Sequence, residues 1–138
     1  MQQVAIVAGA AVVALLVGWL VQRRQPDRPL ATSHTVPDQI DRADFDHPDA
    51  DWLIAVFTSD TCRTCAKVWQ SAQLLATADV AVQNVEVARQ GHIHDRYEIT
   101  AVPAVVIADH EGVTRRSFLA PPTSSELWAA MTDLLDQR

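Results

Sequence analysis

The sequence predicts an α/β domain on a sheet that is parallel in part, preceded by one transmembrane helix. Three observations carry this reading. Residues 4–21 form one uncharged apolar run. Beyond residue 40, short β-branched runs alternate with segments of helical period, the order that lays helices against a sheet. Between these parts, residues 23–39 are polar and contain Pro26, Pro29 and Pro37, the composition of a short, fairly stiff linker. The predicted organisation is an anchor over 1–22, a linker over 23–39 and a folded domain over 40–138.

The run Val4–Val21 would extend roughly 27 Å as a helix, enough to cross a bilayer core. A buried core helix is the blander reading, but the run has no polar face at helical spacing. A cleaved leader would need a basic start and small residues after the run. The chain instead opens Met1-Gln2-Gln3 and continues Val21-Gln22-Arg23-Arg24, so an uncleaved anchor is expected. Trp19 fits an interfacial aromatic, and Ala14 with Gly18 makes one small-xxx-small pair. Arg23, Arg24 and Arg28 all follow the run, and no Lys or Arg precedes it. The positive-inside rule then puts the domain on the cytoplasmic face.

Within the domain, Trp52-Leu53-Ile54-Ala55-Val56-Phe57-Thr58 reads as a strand buried on both faces. Ser59, Asp60 and Thr61 are helix-capping residues. Val68, Trp69, Ala72, Leu75 and Ala76 follow near a helical period, so a helix is expected from about Cys62 to about Ala76. Val80, Val82, Val85 and Val87 mark a second strand whose alternation slips at Gln83-Asn84. Gln90 to Glu98 reads as a short polar helix or turn, and Val105 to Ala108 as a third strand. Asp109-His110-Glu111-Gly112 is a turn in which Gly112 can take positive φ. Val113 to Leu119 would be the hairpin partner. After Pro121-Pro122, Thr123 or Ser124 caps a last helix striped by Leu127, Trp128, Met131, Leu134 and Leu135. One further small strand is expected near Ile40–Phe45.

From Asp41 onward there are eight Lys/Arg and fifteen Asp/Glu, a net charge of −7. Such a surface is unsuited to non-specific nucleic-acid binding, which rests on neutralising phosphates. The acidic cluster Asp38, Asp41, Asp44, Asp46, Asp49 and Asp51 lacks the Gly-containing spacing of a calcium loop and reads as a solvated segment. No G-x-G-x-x-G fingerprint for a flavin or nicotinamide cofactor is present.

Both cysteines lie in the stretch S-D-T-C-R-T-C-A-K-V-W, residues 59–69. Cys62 and Cys65 could be half of a zinc site, with His92 and His94 completing the set of four ligands. They could form a structural disulfide, although so short a loop hardly constrains the unfolded chain. They could also be a working redox pair. Cys62 would follow a strand at a helix N-terminus, where backbone N–H groups favour thiolate over thiol. Arg63 adds positive charge beside it and Asp60 opposes that. One helical turn brings the second sulfur within reach of the first, so Cys65 can resolve a mixed disulfide made by Cys62. Cys62 should then be exposed and Cys65 buried.

About forty residues later comes I-T-A-V-P-A-V-V-I, residues 99–107. Taken with the strand L-I-A-V-F, the C-x-x-C helix start, the D-H-E-G-V turn and the last helix, residues 40–138 resemble thioredoxin in order and spacing. The resemblance implies a central mixed sheet flanked by helices. It implies that Cys62 is the nucleophile, that Cys65 is the resolving thiol, and that Pro103 is a cis-proline facing the pair. Val102 would offer backbone groups to a substrate strand. The sequence also departs from that pattern. Thr61 stands where the family has Trp, Arg63-Thr64 where it has Gly-Pro, and Val56 where it has a buried acid that helps deprotonate the resolving cysteine. The Gly usual after the hairpin is missing in F-L-A-P-P-T. His110, His92 or Glu111 could supply a base instead.

The expected function is a membrane-anchored thiol–disulfide oxidoreductase that reduces protein disulfides, with no bound cofactor beyond the Cys62–Cys65 disulfide itself. Its electrons would come from an upstream thiol reductase or dithiol donor. An outward-facing domain would instead suit an oxidase, an isomerase or a cytochrome-maturation reductase, because disulfides persist outside the cytoplasm. A non-catalytic thioredoxin-like interaction module is the reading from a different class.

Overall fold

In the computed structural model, which describes residues 36–137, strand β1 (Trp52–Thr58) is buried along its whole length. The anchor expected over 4–21 and most of the linker lie outside the described residues. Among the described residues, no helix is long and apolar enough to cross a membrane.

After β1 come helix α1 (Arg63–Gln73), strand β2 (Val80–Glu86), helix α2 (Val87–Arg96), strands β3 (Ala104–Asp109) and β4 (Thr114–Phe118), and helix α3 (Ser124–Asp136). The strand order is β2-β1-β3-β4. β1 runs parallel to β2 and antiparallel to β3, and β3 is antiparallel to β4. The sheet is therefore mixed. A crossover through α1 joins the parallel pair, as parallel strands require.

The period of a strand explains the two layers. Trp52, Ile54 and Val56 point to one face and pack with Val68, Ala72 and Leu75 of the α1 segment and with Leu127, Ala130, Met131 and Leu134 of α3. Leu53, Ala55 and Phe57 point to the other, against Ile93 and Tyr97 of the α2 segment and against Ile40 and Phe45. Burying both faces is why β1 reads as a continuous apolar run. The two polar residues that interrupt β2 have partners. Gln83 Oε1 accepts the Asp46 N–H at 2.7 Å, and Asn84 Oδ1 accepts the Thr58 hydroxyl.

Three sequence expectations need correction. No strand forms near Ile40–Phe45. Arg42–Asp44 is a 3₁₀ turn, capped by the Asp41 carboxylate on the Ala43 N–H, and strand-like pairing is confined to a bridge between Gln39 and Val113. The short polar side chain of Asp41 offers the backbone a local partner, and the turn wins over a ladder. Helix α2 begins at Val87, directly after β2 and earlier than the expected Gln90, and its backbone is non-helical at Gln90. The acidic segment is not uniformly solvated. Asp44 is partly buried and binds the Tyr97 hydroxyl and Arg96, which also reaches Asp41.

Gly112 closes the β3–β4 turn at φ 81°. Its carbonyl accepts the Ile40 N–H at 2.9 Å, and a Cβ there would collide with the Ile40 carbonyl oxygen. This close approach ties the start of the domain to the hairpin.

Candidate active site

Register decides which residues meet. Thr58 at the end of β1 lies beside Glu86 at the end of β2, and Phe57 lies opposite Ala104 at the start of β3. The segments 59–62, 87–89 and 102–103 therefore emerge at one end of the sheet. The turn between β3 and β4 lies at the other.

Ser59 to Cys62 make a β-turn, closed by the Cys62 N–H on the Ser59 carbonyl at 3.1 Å. The Ser59 and Thr61 hydroxyls are 3.1 Å apart. Cys62 is the N-cap of α1, in extended backbone, and its sulfur accepts the Cys65 N–H at 3.2 Å. The helix thus starts at Arg63, one residue later than expected. Thr64 Oγ1 lies 3.5 Å from the same sulfur. Cys62 and Cys65 form a disulfide across 5.3 Å between Cα atoms. Cys62 is partly exposed, whereas Cys65 is 1% exposed beneath the first turn of the helix. Arg63 and Thr64 face solvent. A sulfur at a helix N-terminus with a backbone N–H aimed at it is a site that favours negative charge.

The Val102–Pro103 peptide is cis. Pro103 is buried directly before β3, and the register extends it opposite Thr58, at the cysteine end. Val102 is partly buried against the α2-side core.

The candidate bases fall elsewhere. His110 and Glu111 lie in the β3–β4 turn, at the end of the sheet away from the cysteines. His92 is on α2, and its neighbour His94 is buried with Nε2 2.8 Å from the Val85 carbonyl and its ring edge-on to Phe57. Among the described residues, no group of three or more His, Cys, Asp or Glu is arranged to hold a metal ion. Val56 is wholly buried in the core against α1 and α3.

One acid that sequence reasoning missed does reach this end. Glu86 is 8% exposed and serves as the N-cap of α2, where Oε2 accepts the Arg89 N–H at 3.1 Å. Its other oxygen, Oε1, is buried with no hydrogen bond of good geometry. The backbone N–H of Ala88 holds the carboxyl below its usual pKa. Burial opposes that shift, and the N–H groups of Arg89 and Asp60 and the charge of Arg89 reinforce it. Glu is not among the favoured N-cap residues, and the contact toward Asp60 joins positions far apart in the chain. The only sequence signal was a lone acid ending an apolar strand.

No protein-family model and no curated protein sequence matches the chain. Solved structures do. A point mutant of a thioredoxin from Halobacterium salinarum superposes with a TM-score of 0.53 at 23% identity, over 65% of this chain and 76% of that one. The germline-specific thioredoxin Deadhead of Drosophila melanogaster gives 0.55 at 19% identity, over 63% and 84%. Mitochondrial thioredoxin 3 of Saccharomyces cerevisiae, in its oxidised form, gives 0.53 at 22% identity, over 62% and 81%. At these identities the likeness is one of fold, and the fold is thioredoxin-like.

Proposed function

We propose that this chain is a membrane-anchored thiol–disulfide oxidoreductase that reduces protein disulfides through the Cys62–Cys65 dithiol. A thioredoxin-like fold carrying a C-x-x-C disulfide supports a redox role in general. One arrangement carries the finer reading: the Cys62 sulfur caps α1 and accepts the Cys65 N–H, while the Cys65 sulfur is buried just behind it. After reduction, that N–H stabilises a thiolate on Cys62.

The Cys62 thiolate attacks one sulfur of a substrate disulfide. An S–S bond forms between Cys62 and substrate, and the other substrate sulfur leaves as a thiolate. Cys65 gives up its proton to solvent or to the leaving thiolate and attacks the Cys62 sulfur. This forms the intramolecular disulfide and releases the second substrate thiolate. Two electrons pass from the dithiol to the substrate. A separate thiol reductase or dithiol donor restores the pair, since the sequence carries no flavin or nicotinamide fingerprint. Arg63 and Thr64, exposed beside Cys62, and the backbone at Val102 and Pro103 form the surface offered to a substrate strand. The anchor rests on the apolar run 4–21, and the cytoplasmic placement on Arg23, Arg24 and Arg28.

The test is the equilibrium reduction potential of the pair in the full-length chain in detergent, titrated against glutathione or dithiothreitol. A value near the thioredoxin range, about −270 mV, supports a reductase. A value nearer that of protein disulfide isomerase, about −180 mV, overturns it in favour of an oxidant or isomerase facing outward.

A further inference from the structure

We infer that Glu86 is a positioning residue for the dithiol: its carboxylate ties the Ser59–Cys62 turn to the start of α2 and so fixes where the Cys62 sulfur stands. The inference rests on the redox reading above and adds to it an acid from a different strand.

The argument starts from register. β1 and β2 are parallel and end together, with Thr58 beside Glu86. The chain turns at once after Thr58, and Asp60 is the second residue of that turn. The hydrogen bond that closes a β-turn uses the N–H of the fourth residue, here Cys62, so the Asp60 N–H points away from the turn. Glu86 stands at the neighbouring strand end, and the Asp60 N–H is among the groups that act on its carboxyl. Glu86 Oε2 is engaged by the Arg89 N–H of α2. Oε1 is buried and has no hydrogen bond of good geometry to either segment. A buried carboxylate oxygen without a donor is unfavourable, and the Asp60 N–H is a donor beside it in the register. The depressed pKa of Glu86, to which the Asp60 N–H contributes, agrees with this contact. One carboxylate then serves two backbone segments, the first turn of α2 and the turn that delivers Cys62 to the N-cap of α1. The side-chain pair just below, Thr58 with Asn84, fastens the same two strand ends. The cysteine turn itself is otherwise held by short-range bonds.

A residue that only caps α2 behaves differently from one that also holds the turn, and Glu86→Asp separates the two. Asp is a good N-cap and keeps the charge, but it is one methylene too short to serve both segments. In the full-length chain in detergent micelles, amide hydrogen exchange of Asp60 is expected to quicken about tenfold in Glu86→Asp, with Arg89 unchanged. In Glu86→Ala both amides quicken. The reduced Glu86→Asp protein should react with an aromatic disulfide about three- to tenfold more slowly than wild type, and Glu86→Gln, which keeps length and an acceptor, within about threefold of it. Asp60 protection equal to wild type in Glu86→Asp, with or without slower chemistry, overturns the inference. If Glu86→Ala does not fold, Glu86→Asp alone decides. Failure of the redox reading looks different: wild-type dithiol would fail to reduce the aromatic disulfide while Asp60 exchange still responded to the substitution.

Discussion

The two ends of one sheet differ in what their polar groups do. At the end away from the cysteines most of them are spent on one another, although Arg42 Nε and Trp52 Nε1 are buried without a hydrogen bond. Asp109 closes β3 with a carboxylate that accepts the Glu111 and Val113 N–H groups, each at 3.0 Å, and pairs with Arg115 at 2.6 Å. The Asp109 carbonyl accepts the buried guanidinium of Arg42 at 2.9 Å, which also donates to the His47 carbonyl. Gly112 brings the hairpin against Ile40. At the cysteine end the strands finish beside a partly exposed sulfur whose partners are a helix N–H and a threonine hydroxyl. A reactive sulfur has to be reachable, so it cannot be sealed into such a network. The far end carries more of the fixing, while Thr58 with Asn84 fastens the strands just below the cysteine turn. Stability and reactivity are therefore expected to respond to different residues, at opposite ends.

The largest effect should fall on chemistry alone. Cys62→Ser is expected to abolish insulin reduction, with the unfolding midpoint close to that of the reduced wild type. Cys65→Ser should instead accumulate mixed disulfides, visible on non-reducing gels. A Cys65→Ser protein that turns over normally would remove the two-cysteine mechanism and with it the functional half of the contrast.

The converse substitution is Asp109→Ala. It strips several donors of a largely buried acceptor and should cost about 3 kcal/mol in urea denaturation of the full-length chain. The reduction potential of the cysteine pair should stay within a few millivolts of wild type. A shift of tens of millivolts would mean that the two ends are coupled through β3. The same carboxyl also predicts an acid limb. Burial works to raise its pKa, but the hydrogen bonds from Arg115, Val113 and Glu111 outweigh that and hold it below the usual value. A group depressed in the folded state stabilises fully above its unfolded pKa, about 3.9 for Asp. That contribution is lost as pH falls from there through the folded value. Glu86 and Glu126 shift in the same direction, so the measurable quantity is the difference. Wild type should lose stability below about pH 4 more steeply than Asp109→Asn.

These contrasts show what the sequence could and could not reveal. The strands, the helices and the C-x-x-C turn were legible because their signals are local: β-branched runs, apolar residues at helical period, and Gly112 at a position of positive φ, although the cap of α1 is Cys62 itself and not one of the polar residues before it. Arg42 was not. It stands in a polar, acidic stretch and is nonetheless 7% exposed, because its partners are carbonyls of Asp109 and His47 that only the fold brings near. Glu86 was missed for the same reason, since the β1–β2 register alone sets it beside the cysteine turn. The strand expected near Ile40 failed because Asp41 caps a 3₁₀ turn, a local competition that apolar pattern does not report.

A middling effect is expected at Gly112. Alanine there must hold a left-handed backbone and push against the Ile40 carbonyl, a cost of about 2 kcal/mol. Thermal unfolding of Gly112→Ala measures it. An unchanged midpoint would show that the hairpin contact with residue 40 is dispensable, and the far end would then lose one of its ties.

The smallest effect tests the comparison from the cysteine side. β4 returns to that end, and α3 follows it with a reciprocal cap: Thr123 Oγ1 accepts the Glu126 N–H at 3.2 Å, and the Glu126 carboxylate accepts the Thr123 N–H at 2.7 Å. The neighbouring Ser124 hydroxyl meets Ser71 of α1 at 2.7 Å, which links this cap to the helix that carries Cys65. Because the cap is solvent-exposed, water can replace what Thr123→Ala removes, and the cost should be about 1 kcal/mol. That is well below the cost of Asp109→Ala, although each of the two side chains makes more than one hydrogen bond. The difference follows from burial, not from the number of bonds. Urea denaturation of the two variants side by side checks the ranking, and a Thr123→Ala loss as large as that of Asp109→Ala would show that the cysteine end is as tightly fixed as the far one.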